Sequence, residues 1–213
     1  MQKISIQKLK WLKSLHLKKN RDKESCFIIE GEKTCLECIH TLPQDIEAIV
    51  CLPNHEDLIP HSLHQISYSA SKKELERVSK MKSPNKILTV ISKPKEVAFD
   101  SNKKSLILDH IQDPGNLGTI IRTADWFGIN QIICSPGCAD VYNSKALQAS
   151  MGSFLRVRIF YTELIPFIEK HQFKIAGAFL DGKPLSHEIL KTSNALMLGN
   201  EGQGISKELV KHC

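Results

Sequence analysis

The chain has 213 residues, 41% of them apolar and 24% charged, with a formal net charge of +6. These values exclude a disordered or low-complexity chain and leave room for two modest cores, and the cation excess suits a polyanionic partner such as nucleic acid. No apolar run approaches the roughly 18 residues that span a bilayer, and residues 1–6 lack the apolar core of a secretory signal, which points to the cytoplasm.

From the N-terminus, Ile6, Leu9, Leu12 and Leu15 recur at helical spacing with lysines opposite, so residues 4–20 read as one basic amphipathic helix. Residues 26–29 read as a buried strand leaving at Glu30-Gly31, and residues 32–42 as a helix stopped by Pro43. Strands follow at 46–51 and 65–68, then a helix over 72–81 capped by Ser71, and a strand at 86–91. This alternation predicts a small α/β sandwich over residues 1–92. Lys8, Lys10, Lys13, Lys18, Lys19, Arg21 and Lys23 form one basic belt, and Lys72, Lys73, Arg77, Lys80, Lys82 and Lys86 a second. Either belt alone fits a solvated helix face as well as an RNA-holding one. His55, His61 and His64 fall in a polar loop and read as loop residues rather than ligands.

The seven cysteines are an odd number for a disulfide framework. Cys35 and Cys38 have a suggestive spacing, but Cys134 and Cys138 make a poor second half of a zinc site. The first pair therefore reads as two thiols on a helix face, and no metal is expected.

Residues 93–104 carry Pro94, several lysines, Asp100, Ser101 and Asn102, and read as an interdomain linker into a second domain over 105–213. There, residues 106–112 form a strand, the turn formers Asp113-Pro-Gly-Asn116 follow, and a helix runs from Asn116 to Phe127. Asn116 is the expected N-cap. Leu117, Ile120, Ile121, Ala124 and Phe127 share a buried face, leaving Arg122 and Asp125 outside it. Strands at 131–135, 157–161, 174–179 and 195–198 alternate with helices at 143–151 and 163–172 and a last one after residue 204, which predicts a parallel sheet. Gly199-Asn-Glu-Gly-Gln-Gly204 forms a second glycine loop around Glu201, a carboxylate that looks buried. Both glycine loops fall at the carboxyl ends of strands, where α/β sheets bind ligands, and imply a shared cleft.

Asn116-x-Gly-x-x-x-Arg122-x-Ala124-x-x-Phe127-Gly128, followed by Leu198-Gly-Asn-Glu-Gly-x-Gly204, resembles the first two motifs of the SpoU (TrmH-like) RNA 2′-O-ribose methyltransferases of the SPOUT superfamily. Tyr142-Asn-Ser-Lys-Ala and Ala149-Ser-Met-Gly-Ser153 resemble the segment between those motifs. The residues around Phe27-Ile-Ile-Glu-Gly31 are similar to the substrate-binding domain that many members carry. The resemblance implies a SPOUT α/β-knot domain that uses S-adenosylmethionine and forms homodimers. It also implies a third motif, a proline-containing strand and a Ser-Leu-Asn-rich loop, which residues 1–213 do not contain, so the knot is expected to be incomplete within them.

It casts Arg122, Asn116 and Glu201 as catalytic and Leu198, Gly199, Gly202 and Gly204 as the cofactor pocket, with Phe179 as an apolar wall. Lys10, Lys13, Lys18, Lys19 and Arg21, with Asn143 and Ser150, are the candidate RNA contacts. Arg122 is sometimes described in this family as the general base, but a guanidinium with a pKa above 12 and five donors is better suited to clamp a phosphate. Ribosomal RNA is the expected substrate rather than transfer RNA, because a separate N-terminal domain is present. The competing readings are an RNA-binding protein without cofactor and a nucleotide-binding module. The latter lacks the Gly-Lys-Ser/Thr of a P-loop.

Overall fold

The computed structural model describes residues 1–81, 86–95, 97–184 and 186–213; Lys82 of the second basic belt lies outside them. Contacts divide the chain into one unit of Met1–Glu96 with Tyr142–Gln148, and another of Val97–Val141 with Ala149–Cys213.

The first unit contains, in order, β1 (Gln2–Lys3), α1 (Ile6–Ser14), α2 (Lys18–Glu24), β2 (Cys26–Glu30), α3 (Glu32–Thr41), β3 (Ile46–Cys51), β4 (Ser67–Ser69), α4 (Lys72–Val78) and β5 (Ile87–Ser92). The sheet order is β1-β4-β3-β5-β2, with β5 antiparallel to both neighbours. Successive strand side chains point to opposite faces. Cys26, Ile28, Ala48, Val50, Leu88 and Val90 accordingly form one cluster with Leu12 and Leu15 of the first helical segment and with Leu75 and Val78 of α4. The alternate residues meet α3, which buries Cys35, Cys38 and Ile39. Burial pushes both thiols up to about 12, as expected for inert core cysteines. Ser71 caps α4 through a capping box with Glu74. The expected polar loop around His55 is instead two 3₁₀ helices, Pro53–Leu58 and His61–Ile66.

The single helix expected over residues 4–20 is interrupted. α1 stops at Ser14, and the chain turns before α2 begins. Arg21 explains the break. It is only 4% exposed, and its Nη1 donates to the carbonyls of Leu15 and His16, both at 2.9 Å. Those carbonyls close the end of α1, where orphan acceptors favour a cation. Arg21 therefore leaves the basic belt, while Lys10, Lys13, Lys18 and Lys19 remain exposed. Lys8 is also drawn aside, with its ammonium 3.9 Å from the Trp11 ring centroid. Ile6, 74% exposed, does not join the apolar stripe.

The second unit holds β6 (Ser105–Leu108), α5 (Pro114–Trp126) and β7 (Gln131–Cys134), then α6 (Ser144–Ser150), whose first turns group with the first unit. After it come β8 (Arg158–Tyr161), α7 (Leu164–His171), β9 (Ile175–Gly177), α8 (His187–Thr192), β10 (Ala195–Leu198) and α9 (Lys207–Val210). The five strands are all parallel, in the order β8-β7-β6-β10-β9. Ile107, Ile133 and Met197 turn to one face, packed with Leu164 and Ile168 of α7 and Leu209 of α9. The chain builds outward from β6 to β8 and then crosses to β9, so the connections diverge between β6 and β10. In α/β sheets such a divergence marks the expected ligand crevice, here at the carboxyl ends of the two strands.

The segment expected to be a linker is tied down near its middle. Asp100 exchanges two hydrogen bonds with the Gln131 side chain, and Phe99 packs edge-on against Phe160 and Phe167. Phe127 was expected on the buried face of α5, but it is 73% exposed because the helix ends at Trp126.

Arg21→Ala would leave the Leu15 and His16 carbonyls without their donor. It should cost about 2 kcal/mol in urea unfolding, against less than about 0.5 kcal/mol for Lys18→Ala. Equal losses from the two substitutions would contradict the capping role.

Candidate active site

The apolar run of β6 ends at Asp109, which is 1% exposed. A buried carboxylate persists only if its lone pairs are met. One oxygen, Oδ2, accepts from the Ser206 amide at 2.8 Å and from its hydroxyl at 2.6 Å, and Oδ1 faces His110 Nδ1 at 2.6 Å. Burial pushes this carboxyl up, but the Ser206 and His110 bonds outweigh it and hold the group below its ordinary range. Its contribution to stability is thus present above pH 3.8 and is lost as pH falls through the depressed folded value.

Beyond β6, Asp113 rather than Asn116 is the N-cap of α5. Its side chain accepts from the Asn116 amide at 3.0 Å. Pro114 occupies the first helical position, where a missing N–H matters least, so the helix begins earlier than the turn formers suggested. Asn116 is left inside the first turn with its carboxamide free to reach out. Its Nδ2 donates to Glu201 Oε1 at 2.9 Å, joining residues 85 apart in sequence. Glu201 is exposed, not buried as expected. Its carboxyl is lowered first by this bond and further by the amides of Asp113 and Gln112.

The second loop is shaped by Asn200. Its main chain pairs with Gly204 in both directions at 2.9 Å, and its Oδ1 accepts from the amides of Gly202 and Gln203 at 3.0 and 3.1 Å. The remaining amide, Nδ2, donates to the His110 carbonyl at 2.8 Å, tying the two loops together. The glycines are not equivalent. A Cβ on Gly199 would stand 2.1 Å from the Gly204 carbonyl carbon, so that glycine serves the loop's own closure. Gly204 has φ +71° and would meet nothing within 4 Å, and Gly202 would meet only Asn200 Oδ1 at 3.7 Å. Leu198 is half-buried at the end of β10. Phe179, just beyond β9, is 38% exposed and lays its ring over Gly177, where an added Cβ would sit 2.5 Å from Cε2.

Arg122 lies on the exposed side of α5, two turns beyond Asn116, and makes no hydrogen bond or ion pair with the described residues. Glu201 thus orients Asn116 and, among the described residues, makes no bond to Arg122. Asp125 is tied instead by a forked pair with Arg156, at 2.9 and 2.7 Å to one oxygen. Two RNA candidates change character. Ser150 is fully buried and unable to meet RNA, and Asn143 accepts from the Lys145 amide at 2.9 Å at the start of α6. Asp109, His110, Asn200 and Ser206 carried no role in the sequence reading. The available signals were a carboxylate closing an apolar strand and an asparagine beside Gly199.

Gly199→Ala should cost at least about 2 kcal/mol, Gly204→Ala about 1 kcal/mol from its positive φ, and Gly202→Ala less than about 0.5 kcal/mol. Urea unfolding of the three variants checks the order, and a Gly202 variant as damaged as the Gly199 one would contradict this geometry.

Residues 103–213 match the model of the SpoU rRNA Methylase family, and residues 7–89 match the MRM3-like substrate binding domain. The chain is 34% identical to the 23S rRNA (guanosine(2553)-2′-O)-methyltransferase RlmP of Bacillus subtilis, over 96% of this chain and 84% of that protein. A TrmH-family protein from Porphyromonas gingivalis superimposes with TM-score 0.83 at 32% identity, covering 98% of this chain and 86% of that one. An AdoMet-bound rRNA methyltransferase from Sinorhizobium meliloti shares the fold, with TM-score 0.82 at 23% identity, over 99% and 84% of the two chains. With its second half matched by the family model and a relative this similar along most of both sequences, the chain belongs to the SpoU rRNA methylase family.

Proposed function

We propose that the chain transfers a methyl group from S-adenosylmethionine to the 2′-hydroxyl of a ribose in ribosomal RNA, at the crevice between β6 and β10. The observation that carries this reading is the Asn116–Glu201 bond, which brings the two sequence motifs into one site at the strand ends.

The residues present fit the donor. Gly202 and Gly204 leave main chain bare, with open space where side chains would stand, and Phe179 offers a partly exposed ring. Leu198 and the loop 199–204 would hold the adenosyl and methionine parts. When bound, the donor supplies an activated methyl on a sulfonium. The chain's own task is placement, since aligning the oxygen with the methyl carbon supplies several kcal/mol. Asn116, fixed by Glu201, orients the ribose. Arg122, without a partner among the described residues, presents its fork of donors to the adjacent phosphate. Lys10, Lys13, Lys18 and Lys19 hold the RNA backbone through the substrate-binding domain.

The reading carries further expectations. The protein works in the cytoplasm as a homodimer, for which Trp126 and Phe127, 86% and 73% exposed, offer apolar surface. A trefoil knot in the methyltransferase domain is part of it. Among the described residues, no helix is long and apolar enough to cross a membrane.

In a chain that carries the third motif, Arg122→Lys keeps the charge and loses the fork. Single-turnover methylation of a 23S rRNA transcript should fall at least about tenfold, or ~1.4 kcal/mol. Undiminished turnover refutes the clamp. Replacing Lys10, Lys13, Lys18 and Lys19 together by Ala should reduce the slope of log affinity against log salt by about 3, with methyl-donor affinity unchanged. An unaltered slope places the RNA elsewhere.

A further inference from the structure

Methyl transfer leaves a pair of thiols at the carboxyl edge of the second sheet without a task. Cys134 ends β7 and is fully buried, with Leu108 of β6 and Tyr161 of β8 as its partners in register. The next four residues fold back over it. The Cys138 amide donates to the Ser135 carbonyl at 3.0 Å, closing a turn that returns the second sulfur to the same rung of the sheet. There Cys138 Sγ lies 3.3 Å from the Leu108 carbonyl, which also accepts from the Ser135 amide at 2.9 Å. The Cys134 thiol meets Cys138 in this corner as a hydrogen-bond donor. Cys138 is half-buried rather than sealed, so a small solute reaches the pair from its side.

The surroundings of Cys138 favour its thiolate. Sγ accepts from the Ile111 amide at 3.3 Å and stands 3.6 Å from Ser135 Oγ. The hydrogen bond from Cys134 comes first among the causes that bring this thiol down to about 6; burial opposes it, and the Ser135 and Ile111 donors assist. The Leu108 carbonyl is the contrary contact, an acceptor that a thiol satisfies and a thiolate does not. Elsewhere burial keeps the cysteines as thiols. It pushes Cys26 and Cys51 up to about 11, Cys35 and Cys38 up to about 12, and Cys213 upward. Thiolate character and access together select a cysteine for oxidation. Among the described residues, Cys138 alone combines them.

We propose that Cys138 is a modification site for hydrogen peroxide and Cys134 its resolving thiol, the two closing a reversible disulfide that loosens the loop after β6. In the first step the Cys138 sulfur attacks one peroxide oxygen, the O–O bond breaks, and the departing hydroxide takes up a proton and leaves as water. Cys138 becomes a sulfenic acid and the peroxide is reduced. In the second step the Cys134 sulfur bonds to the Cys138 sulfur, its proton goes to the departing hydroxide, and a second water leaves. Cys134 is held well above the ordinary thiol range first by its bond to Cys138 and then by burial, and oxidation of Cys138 removes the first cause. The disulfide takes the acceptor from the Ile111 amide, two residues before the Asp113 cap of α5. It also shifts the turn on which the His110 ring rests, where a Cβ added to Gly137 would stand 2.3 Å from Cδ2.

Peptide mass spectrometry of the reduced protein, treated with hydrogen peroxide and then blocked with N-ethylmaleimide, tests the site. A link between Cys134 and Cys138 should form at least about tenfold faster than oxidation of any other cysteine, and dithiothreitol should restore both thiols. Even reaction across the cysteines, or passage of Cys138 to its sulfinic acid without a link, overturns the proposal. Cys134→Ser should leave Cys138 as a sulfenic acid that dimedone traps, and a folded variant that yields no such adduct overturns the resolving role. Hydrogen exchange checks the effect on the loop. Protection of the Ile111 amide should fall at least about tenfold on oxidation and return with dithiothreitol. A disulfide that leaves this protection unchanged overturns the loosening. These readouts involve neither RNA nor methyl donor, so their failure leaves the proposed function standing, and a protein inactive on 23S rRNA leaves the thiol chemistry untouched.

Discussion

A carboxylate held out of water at the end of β6 is the constraint on which the site depends. Removing a charge from water is affordable only when strong donors replace the solvent, and Asp109 finds them at Ser206 and His110. Ser206 opens α9, so the bond fixes the far end of the second glycine loop against the central strand. The near end is already fixed by the pairing of β10 with β6. With both ends held, only the residues between them can vary in shape, and Asn200 folds these into a closed turn. The crevice is therefore rigid at its base and bare at its rim, where Glu201, Gly202 and Gly204 face outward.

Charged residues on α5 have opposite fates within one helix. Asp125 is engaged by a two-pronged pair with Arg156, which serves the architecture. Arg122, one turn earlier, has no partner among the described residues, which keeps its donors available for an external anion. The N-terminal unit shows the same division. Arg21 caps α1 from inside and Lys8 lies over an aromatic ring, while Lys10, Lys13, Lys18 and Lys19 keep their ammonium groups in solvent. A basic sequence is thus not uniformly a basic surface, because helix ends and aromatic faces compete with the partner for cations.

Much of the fold was legible because its strands are short runs of apolar residues separated by turn formers. β3 and β10 fall where the pattern predicts them, and the strict alternation of strand and helix after residue 105 implied the parallel order that is found. What escaped was short or locally ambiguous. β1 has two residues, paired only through β4, and α8 is a six-residue helix without an apolar stripe. The break between α1 and α2 was hidden because Leu12 and Leu15 keep helical spacing across it, and only the reach of Arg21 back to the Leu15 and His16 carbonyls reveals it.

By itself the sequence determined the two loops, the residue types they carry and the family they belong to, since glycine, asparagine and carboxylate spacing is written in the chain. Only the tertiary structure decided which of those groups meet. Parallel strands place the ends of β6 and β10 side by side although they are far apart in sequence, and it is this adjacency that joins Asn116 to Glu201, Asn200 to the His110 carbonyl and Asp109 to Ser206. Burial was equally a tertiary decision. Asp109 and Ser150 lie inside and Glu201 outside, because exposure depends on what packs above a residue, which no local pattern records.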